Sequence, residues 1–336
     1  RADFITLHTP LNDKTRGIVN KDAFAKMKDG VRIINCARGG LVVEADLVEA
    51  LKSGKVAGAG IDVFEVEPAT ENALFDMPNV VCTPHLGAST TEAQENVALQ
   101  VAEQMSDYLV KGAVTNAINM PSISAEEAPR LKPFIKLAEV LGAFVGQVTE
   151  EPIEEVEILF DGSTADMNRR ALTSAALAGL IRPQVSDVNM VSAPIMVKER
   201  GIILSEVKRD KSGAFDGYIK LTVKTSVKTR TIAGTCFSDG KPRFIQIKGI
   251  NLDAEVGEHM LYTTNYDVPG IIGILGGICA KHEVNIANFQ LGRNRPGGDA
   301  IALLYLDGPF PAKVLEELRA NKAILSAKPL QFDVTV

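Results

Sequence analysis

The sequence has 336 residues, which at about 100–200 residues per domain predicts two or three domains. Hydrophobic residues make up 46% and charged residues 23%, enough apolar mass for more than one core. With 36 Lys and Arg against 42 Asp and Glu, the net charge of −6 excludes a chain-wide surface for nucleic acid or an anionic membrane. No apolar run approaches the ~18–20 residues that span a bilayer, and no basic-then-apolar opening reads as a signal peptide. Cys36, Cys82, Cys236 and Cys279 have no C-x-x-C spacing and sit in apolar stretches. That is the pattern of reduced, buried thiols in a cytoplasmic protein, with neither disulfides nor zinc expected. The chain opens at Arg1 directly into a strand pattern, an opening that reads as cut from something longer.

Residues 1–110 alternate short apolar runs with helical patterns. Strands are expected at Phe4–Leu7, Val31–Cys36, Ala57–Phe64 and Val80–Thr83. Nearly continuous apolar strands separated by helices mark a parallel sheet buried on both faces. Helices are expected at Lys21–Lys28, Glu44–Lys52 and Ser89–Val110; the last opens on a capping-box pattern at Ser89–Glu92 and places Ala93, Val97, Val101 and Met105 four apart. Residues 111–126 read as a connection with one short strand.

A second unit, 127–255, offers helices near Pro133–Val145 and Asp166–Gly179. Its strands are expected near Glu151–Asp161, Ile202–Val207, Tyr218–Lys224, Thr229–Cys236 and Phe244–Ile247. Long alternating strands joined by Gly, Asp and Ser turns predict an antiparallel sheet with helices on one face. Lys208-Arg209-Asp210-Lys211 reads as a solvated turn. In the third unit, 256–336, the order is strand Met260–Asn265, a helix to about His282, strands Val284–Leu291 and Ala300–Asp307, helix Pro311–Arg319 and strand Lys328–Val334. This β-α-β-β-α-β order is the ferredoxin-like plan. His259 and His282 have no partners at ligand spacing, so no metal site is expected.

Three chemistry-bearing items fall at strand C-terminal ends, where an open α/β sheet binds its ligands: Arg38, the acid at Glu67 or Glu65, and His85. Taken singly, each has a bland reading as a cap, loop or structural residue. Together, a His works as acid and base, a carboxylate stabilises its imidazolium, and a guanidinium forks onto a substrate carboxylate. That set suits interconversion of a 2-hydroxy acid and a 2-oxo acid with hydride passing to a nicotinamide.

The motifs N-C-A-R-G-G, I-D-V-F-x-x-E-P and T-P-H-L-G-A-S-T, in this order, resemble the D-isomer-specific 2-hydroxy-acid dehydrogenase family, and the whole chain resembles its long, phosphoglycerate-acting members. The resemblance implies that Arg38 binds the substrate carboxylate, His85 exchanges the proton, and Glu67, directly before Pro68, partners it. It implies contacts to NAD from Thr9, Cys36, Ala37, Arg38, Asp62, His85, Gly87 and Ala88. The G-x-G-x-x-G fingerprint is missing from residues 1–110, and Gly270, Gly273 and Gly276 belong to the last unit and are not that motif. The resemblance implies that the fingerprint, the ribose acid and the substrate-phosphate residues lie upstream of Arg1. The chain by itself is then not expected to turn over.

The same resemblance makes the fold α/β: the C-terminal half of a Rossmann-type parallel sheet, an α+β intervening domain, and a ferredoxin-like ACT domain. Pro269 at the first turn of a helix leaves N-terminal amides for a carboxylate. Asp267 would pair with an ammonium, and Asn265 and Asn285 offer amides. The effector implied is L-serine, bound between subunits of a homo-oligomer, by resemblance a tetramer. For the middle unit, the resemblance implies a basic anion site in some members. Arg243 and Lys248 are candidates, with Arg230 near, but Ile250 and Glu255 stand where more positive charge is wanted, so the unit is read as a structural spacer. The expected reaction is oxidation of 3-phosphoglycerate on the way to L-serine. The rivals are a glyoxylate- or hydroxypyruvate-type dehydrogenase and a non-catalytic amino-acid-binding regulatory chain.

Overall fold

The computed structural model describes residues 1–210 and 213–334. The chain forms two compact units, Arg1–Glu103 and Gln104–Val336. The first holds strands β1 (Phe4–Leu7), β2 (Val31–Asn35), β3 (Val56–Ile61) and β4 (Val80–Cys82), with helices α1 (Lys21–Lys26) and α2 (Glu44–Lys52). The strands pair in sequence order, β1-β2-β3-β4, and every pairing is parallel. Val31, Ile33, Val56 and Ile61 are buried with Leu47 and Leu51 of α2, so the apolar runs form the expected parallel sheet; it is covered on one face and not on both as expected, since Phe4, Arg32 and Val81 are exposed.

Helix α3 (Thr91–Lys111) begins one residue later than the capping box implied: Thr90 Oγ1 accepts from the Ala93 N–H at 3.1 Å. Its Val97, Val101 and Met105 are exposed rather than buried. The pattern of one apolar face is present, but no described residue covers it.

The second unit contains α4 (Ala128–Val148), β5 (Ile153–Gly162), α5 (Arg169–Ile181), α6 (Ser192–Glu199), β6 (Ile203–Arg209), β7 (Gly217–Thr225), β8 (Thr229–Cys236), β9 (Pro242–Ile247) and β10 (Ile250–Glu255). The sheet order is β10-β9-β8-β7-β5-β6. It is mixed, not antiparallel as expected, because β5 and β6 run parallel. Two helices lie between them in the chain, and such a crossover returns a strand in the same direction. Lys208 and Arg209 end β6 and are not a free turn: Arg209 pairs with the buried Asp161, and Lys208 with Asp166 at 2.9 Å. Lys211 lies outside the described residues.

There follow β11 (His259–Tyr266), α7 (Ile271–Lys281), β12 (Ile286–Arg293), β13 (Asp299–Leu306), α8 (Ala312–Ala320) and β14 (Ile324–Gln331). Their sheet order, β12-β13-β11-β14 with every pairing antiparallel, is the ferredoxin-like arrangement. One core runs through this unit from Ala113 to Phe332. In it Phe144 of α4 meets Phe244 of β9 and Tyr262 of β11 edge-on, with centroids 5.5 and 5.2 Å away.

Helices α4 and α5 touch through glycine. A Cβ at Gly179 would land on the Glu139 carbonyl oxygen, and one at Gly142 on that of Ala176. Gly179→Ala is therefore expected to destabilise the chain by about 3 kcal/mol, the upper part of the overpacking range, read as a shift of the urea midpoint. An unchanged midpoint would mean that the helices separate freely.

Of the four thiols, Cys279 is buried, Cys82 and Cys236 are half-buried, and Cys36 is exposed; all are free. Burial pushes the Cys236 thiol up to about 12. Cys36 departs from the expected burial because it stands one residue past the end of β2, where the sheet no longer covers it.

Candidate functional site

Leu7 pairs with Asn35, Asn35 with Ile61, and Ile61 with Cys82, so the four parallel strands end on one edge. The segments carrying Thr9, Cys36–Arg38, Asp62–Glu67 and His85–Ala88 all leave from that edge, the ligand edge of an open α/β sheet. Asn35 is buried and folds the first turn: its amide donates to the Arg38 carbonyl at 3.0 Å, and its oxygen accepts from the Ala37 N–H at 3.2 Å.

Asp62 organises the segment after β4. Its Oδ1 accepts from the Thr83 hydroxyl at 2.6 Å and the Leu86 N–H at 2.8 Å, and its carbonyl accepts from the His85 N–H at 2.9 Å. Burial pushes the Asp62 carboxyl up, but the bonds from Thr83, Leu86 and Gly87 outweigh it and hold the group below its ordinary value. His85 is thereby kept at φ 57°, a left-handed conformation that a side chain adopts only when its surroundings impose it.

His85 Nδ1 lies 2.8 Å from Glu67 Oε2. The other carboxylate oxygen accepts the Phe64 N–H at 2.9 Å. The bond to His85 first, then that from Phe64, holds the Glu67 carboxyl below its usual range. With Nδ1 so engaged, Nε2 is the nitrogen left for chemistry, and the imidazole is 47% exposed. Beside the pair lies a cavity of about 660 Å³ between Phe64, Phe75, Pro68 and Pro84.

Residues that sequence reasoning passed over hold this loop. Glu44, at the start of α2, accepts from the Glu65 N–H at 2.8 Å and from the Asn72 amide at 2.7 Å. Gly39 packs its backbone against Phe64 so closely that a Cβ would fall on the Phe64 carbonyl. The Arg38 loop and the Glu67 loop are thus in contact through Gly39. Arg38 itself is turned onto the Ala37 carbonyl at 2.6 Å and makes no hydrogen bond to Glu67 or His85. Gly39 carried a legible signal, a Gly-Gly pair after Arg38, whereas Glu44 stands in the sequence only as the start of a helix.

Glu44→Ala leaves the Glu65 N–H and the Asn72 amide without their acceptor. The expected cost is about 1–3 kcal/mol in stability, accompanied by moved His85 ring resonances in NMR. Glu44→Gln, which keeps an acceptor oxygen, should restore part of both. Unmoved ring resonances in the Ala variant would show that Glu44 does not set the loop.

The residues expected around an amino-acid effector are engaged within the chain. Asp267 accepts from Arg293 Nη1 at 2.9 Å and from the Gly297 N–H at 2.8 Å, and Asn285 donates to Asp307 at 2.6 Å. The Asn265 amide nitrogen donates to the Tyr266 carbonyl at 2.9 Å, while its buried oxygen has no partner among the described residues. Arg293 and Asp307 were not singled out from the sequence. Arg243 stacks on Phe237 at 4.7 Å, with Asp239 and Asp253 at 3.8 and 3.6 Å, at the end of β8–β9 away from Arg230 and Lys248.

Residues 1–87 match the family model described as the D-isomer specific 2-hydroxyacid dehydrogenase NAD-binding domain, and residues 130–248 match the D-3-phosphoglycerate dehydrogenase intervening domain. These two segments are similar to domains of the D-isomer-specific 2-hydroxyacid dehydrogenases. Curated relatives named D-3-phosphoglycerate dehydrogenase include those of Bacillus subtilis, 42% identical over 97% of this chain, and Synechocystis sp., 40% identical over 97%. That of Methanocaldococcus jannaschii is 39% identical over 95%. The chain spans 62%, 59% and 61% of the length of these three relatives. The His85–Glu67 pair stands at the C-terminal edge of the sheet that the NAD-binding model matches. No described helix is long and apolar enough to cross a membrane.

Proposed function

We propose that this chain supplies the proton-transfer edge of an NAD-dependent enzyme that oxidises 3-phospho-D-glycerate to 3-phosphooxypyruvate, the first step towards L-serine, in the cytoplasm. The observation that carries the reading is the 2.8 Å contact of His85 Nδ1 with Glu67 Oε2 at the ends of parallel strands. The residue set fits the cofactor. Asp62 is a buried carboxylate kept charged beside Gly87, where a side chain would meet only Asp62 Oδ2, at 3.9 Å. Thr9, Cys36, Ala37, Arg38, Asp62, His85, Gly87 and Ala88 would hold it. The nicotinamide supplies an acceptor for the hydride leaving C2.

In this reading His85 Nε2 takes the proton of the C2 hydroxyl, and Glu67 stabilises the resulting imidazolium through Nδ1. Arg38 leaves the Ala37 carbonyl and forks onto the substrate carboxylate. The catalytic-domain part is taken as 1–110, the connection as 111–126, the intervening domain as 127–255 and the ACT domain as 256–336. L-serine is the proposed effector, at Asn265, Asp267 and Asn285. The unpartnered Asn265 oxygen supports it, whereas its ammonium would have to compete with Arg293 for Asp267. Self-association, as a tetramer, completes the proposal.

The test is the initial rate of NAD reduction, at 340 nm, in a polypeptide that contains this chain and supports turnover. 3-Phospho-D-glycerate is expected to be the preferred substrate over D-glycerate and D-lactate. Equal or better turnover of the unphosphorylated acids would favour the glyoxylate- or hydroxypyruvate-type reading.

A further inference from the structure

We infer that Asn35 is the positioning residue of the Arg38 turn: it fixes the backbone from which the guanidinium reaches a substrate carboxylate, and so sets substrate affinity without touching the substrate. This rests on the reading of Arg38 proposed above. Asn35 is the last residue of β2 and only 2% exposed. It stands on the face of the strand that buries Val31 and Ile33, where an apolar side chain would be the ordinary occupant. Burying an amide there costs free energy unless its polar atoms are bonded. Both are, and to the same turn: Nδ2 donates to the Arg38 carbonyl at 3.0 Å, and Oδ1 accepts the Ala37 N–H at 3.2 Å. A buried polar group with all its bonds met selects one conformation where apolar packing tolerates several. The conformation selected here is that of residues 36–38.

The main chain of Asn35 serves the other arm of the site. Its carbonyl accepts the Asp62 N–H at 3.0 Å, and the residue pairs in register with Leu7 and Ile61. One residue thus joins the turn that presents Arg38 to the strand end that presents Asp62. The two links are separable, because the first runs through the side chain and the second through the backbone. Replacing the side chain breaks only the first.

Arg38 depends on this support. Its side chain is exposed, has no ion-pair partner among the described residues, and rests on the Ala37 carbonyl at 2.6 Å. When it leaves that carbonyl for a substrate carboxylate, its reach is decided by the backbone at its root. A fork of two parallel N–H bonds is geometrically exacting. Displacement of a positioning group by about 1 Å costs up to about a hundredfold. Gly39 holds the far end of the turn against the Phe64 carbonyl, and Asn35 holds the near end.

Steady-state kinetics with 3-phospho-D-glycerate, in a polypeptide that contains this chain and supports turnover, test the assignment. Asn35→Ala is expected to raise the substrate KM by about ten- to a hundredfold, with the NAD Kd unchanged within about twofold and the pH dependence of kcat unmoved. A merely structural role would loosen the strand ends together and weaken NAD binding as well. In an Arg38→Ala background, adding Asn35→Ala should change the substrate KM by less than about twofold, since the group it positions is gone. Should Asn35→Ala fail to fold, Asn35→Asp takes its place. That variant keeps the size and the bond to the Ala37 N–H but sets a carboxylate oxygen against the Arg38 carbonyl, so the same rise in KM is expected. An unchanged KM, an equal loss of NAD affinity, or a full further loss on top of Arg38→Ala would overturn the assignment. The substrate reading is judged separately, on the wild type. If that enzyme prefers another 2-hydroxy acid, the same comparison with that acid decides, because the fork serves the carboxylate that all of them share.

Discussion

Exchange of His85 for Ala is expected to lower turnover by about 10²–10⁴-fold, the span that a positioned general acid or base contributes, while NAD affinity changes by less than about threefold. The argument is one of atoms. Nδ1 is committed to Glu67 at 2.8 Å, and no described side chain occupies Nε2. Removing the ring deletes the proton acceptor but leaves the strand ends, Asp62 and the Cys36–Gly39 turn in place. Binding and turnover should therefore separate, as they do when an interaction made chiefly in the transition state is lost. Stopped-flow NAD binding and steady-state rates on the same preparation read both quantities. Parallel losses in the two would assign His85 to cofactor binding instead.

The second large effect is structural. Asp62→Ala is expected to cost about 2–4 kcal/mol, because a buried charged acceptor with several donors is lost at once and the Thr83 hydroxyl and Leu86 N–H are left unpaired. Asp62→Asn, which keeps one oxygen, should cost less. Since the folded-state pKa of Asp62 lies below its ordinary value, the carboxylate's contribution is fully present above the unfolded value of about 3.9. It is lost as the pH falls through the lower, folded value. Urea titrations from neutral pH down to about pH 3 should accordingly show a constant wild-type advantage over Asp62→Asn, shrinking only at the acid end. An advantage that grew on acidification would mean that the carboxyl is held neutral.

The parallel sheet was legible because short apolar runs such as Val31–Asn35 and Val80–Cys82 alternate with helical patterns, although Arg32 and Val81 turn out exposed, so only one face is covered. The β-α-β-β-α-β order was legible for a similar reason: the third unit switches cleanly between periods of 2 and 3.6. Helix α6 was missed because Pro194 reads as a breaker, yet it stands in the first turn, where no N–H is needed. Strand β10 carried a signal that went unused, the Lys248-Gly249 turn before an alternating run. The parallel pairing of β6 with β5 had no local trace, since direction is set by the crossover and not by either strand.

At the site, Glu67 and His85 were identified through the family's motifs, and the structure joins them. The supports were illegible. Glu44 and Gly39 act on residues 21 and 25 positions away, and only folding of the sheet brings those together. The orientation of Arg38 was equally hidden: its position follows from the strand, but its rotamer follows from the nearest acceptor, the Ala37 carbonyl.

The claim on which the functional reading rests is that His85 and Glu67 act as one unit. A double-mutant cycle in kcat, with His85→Ala, Glu67→Gln and the double variant, measures this directly. If Glu67 works only through the imidazole, the double variant is expected to be no slower than His85→Ala alone. Multiplying losses would contradict the account, because they would give Glu67 a role of its own.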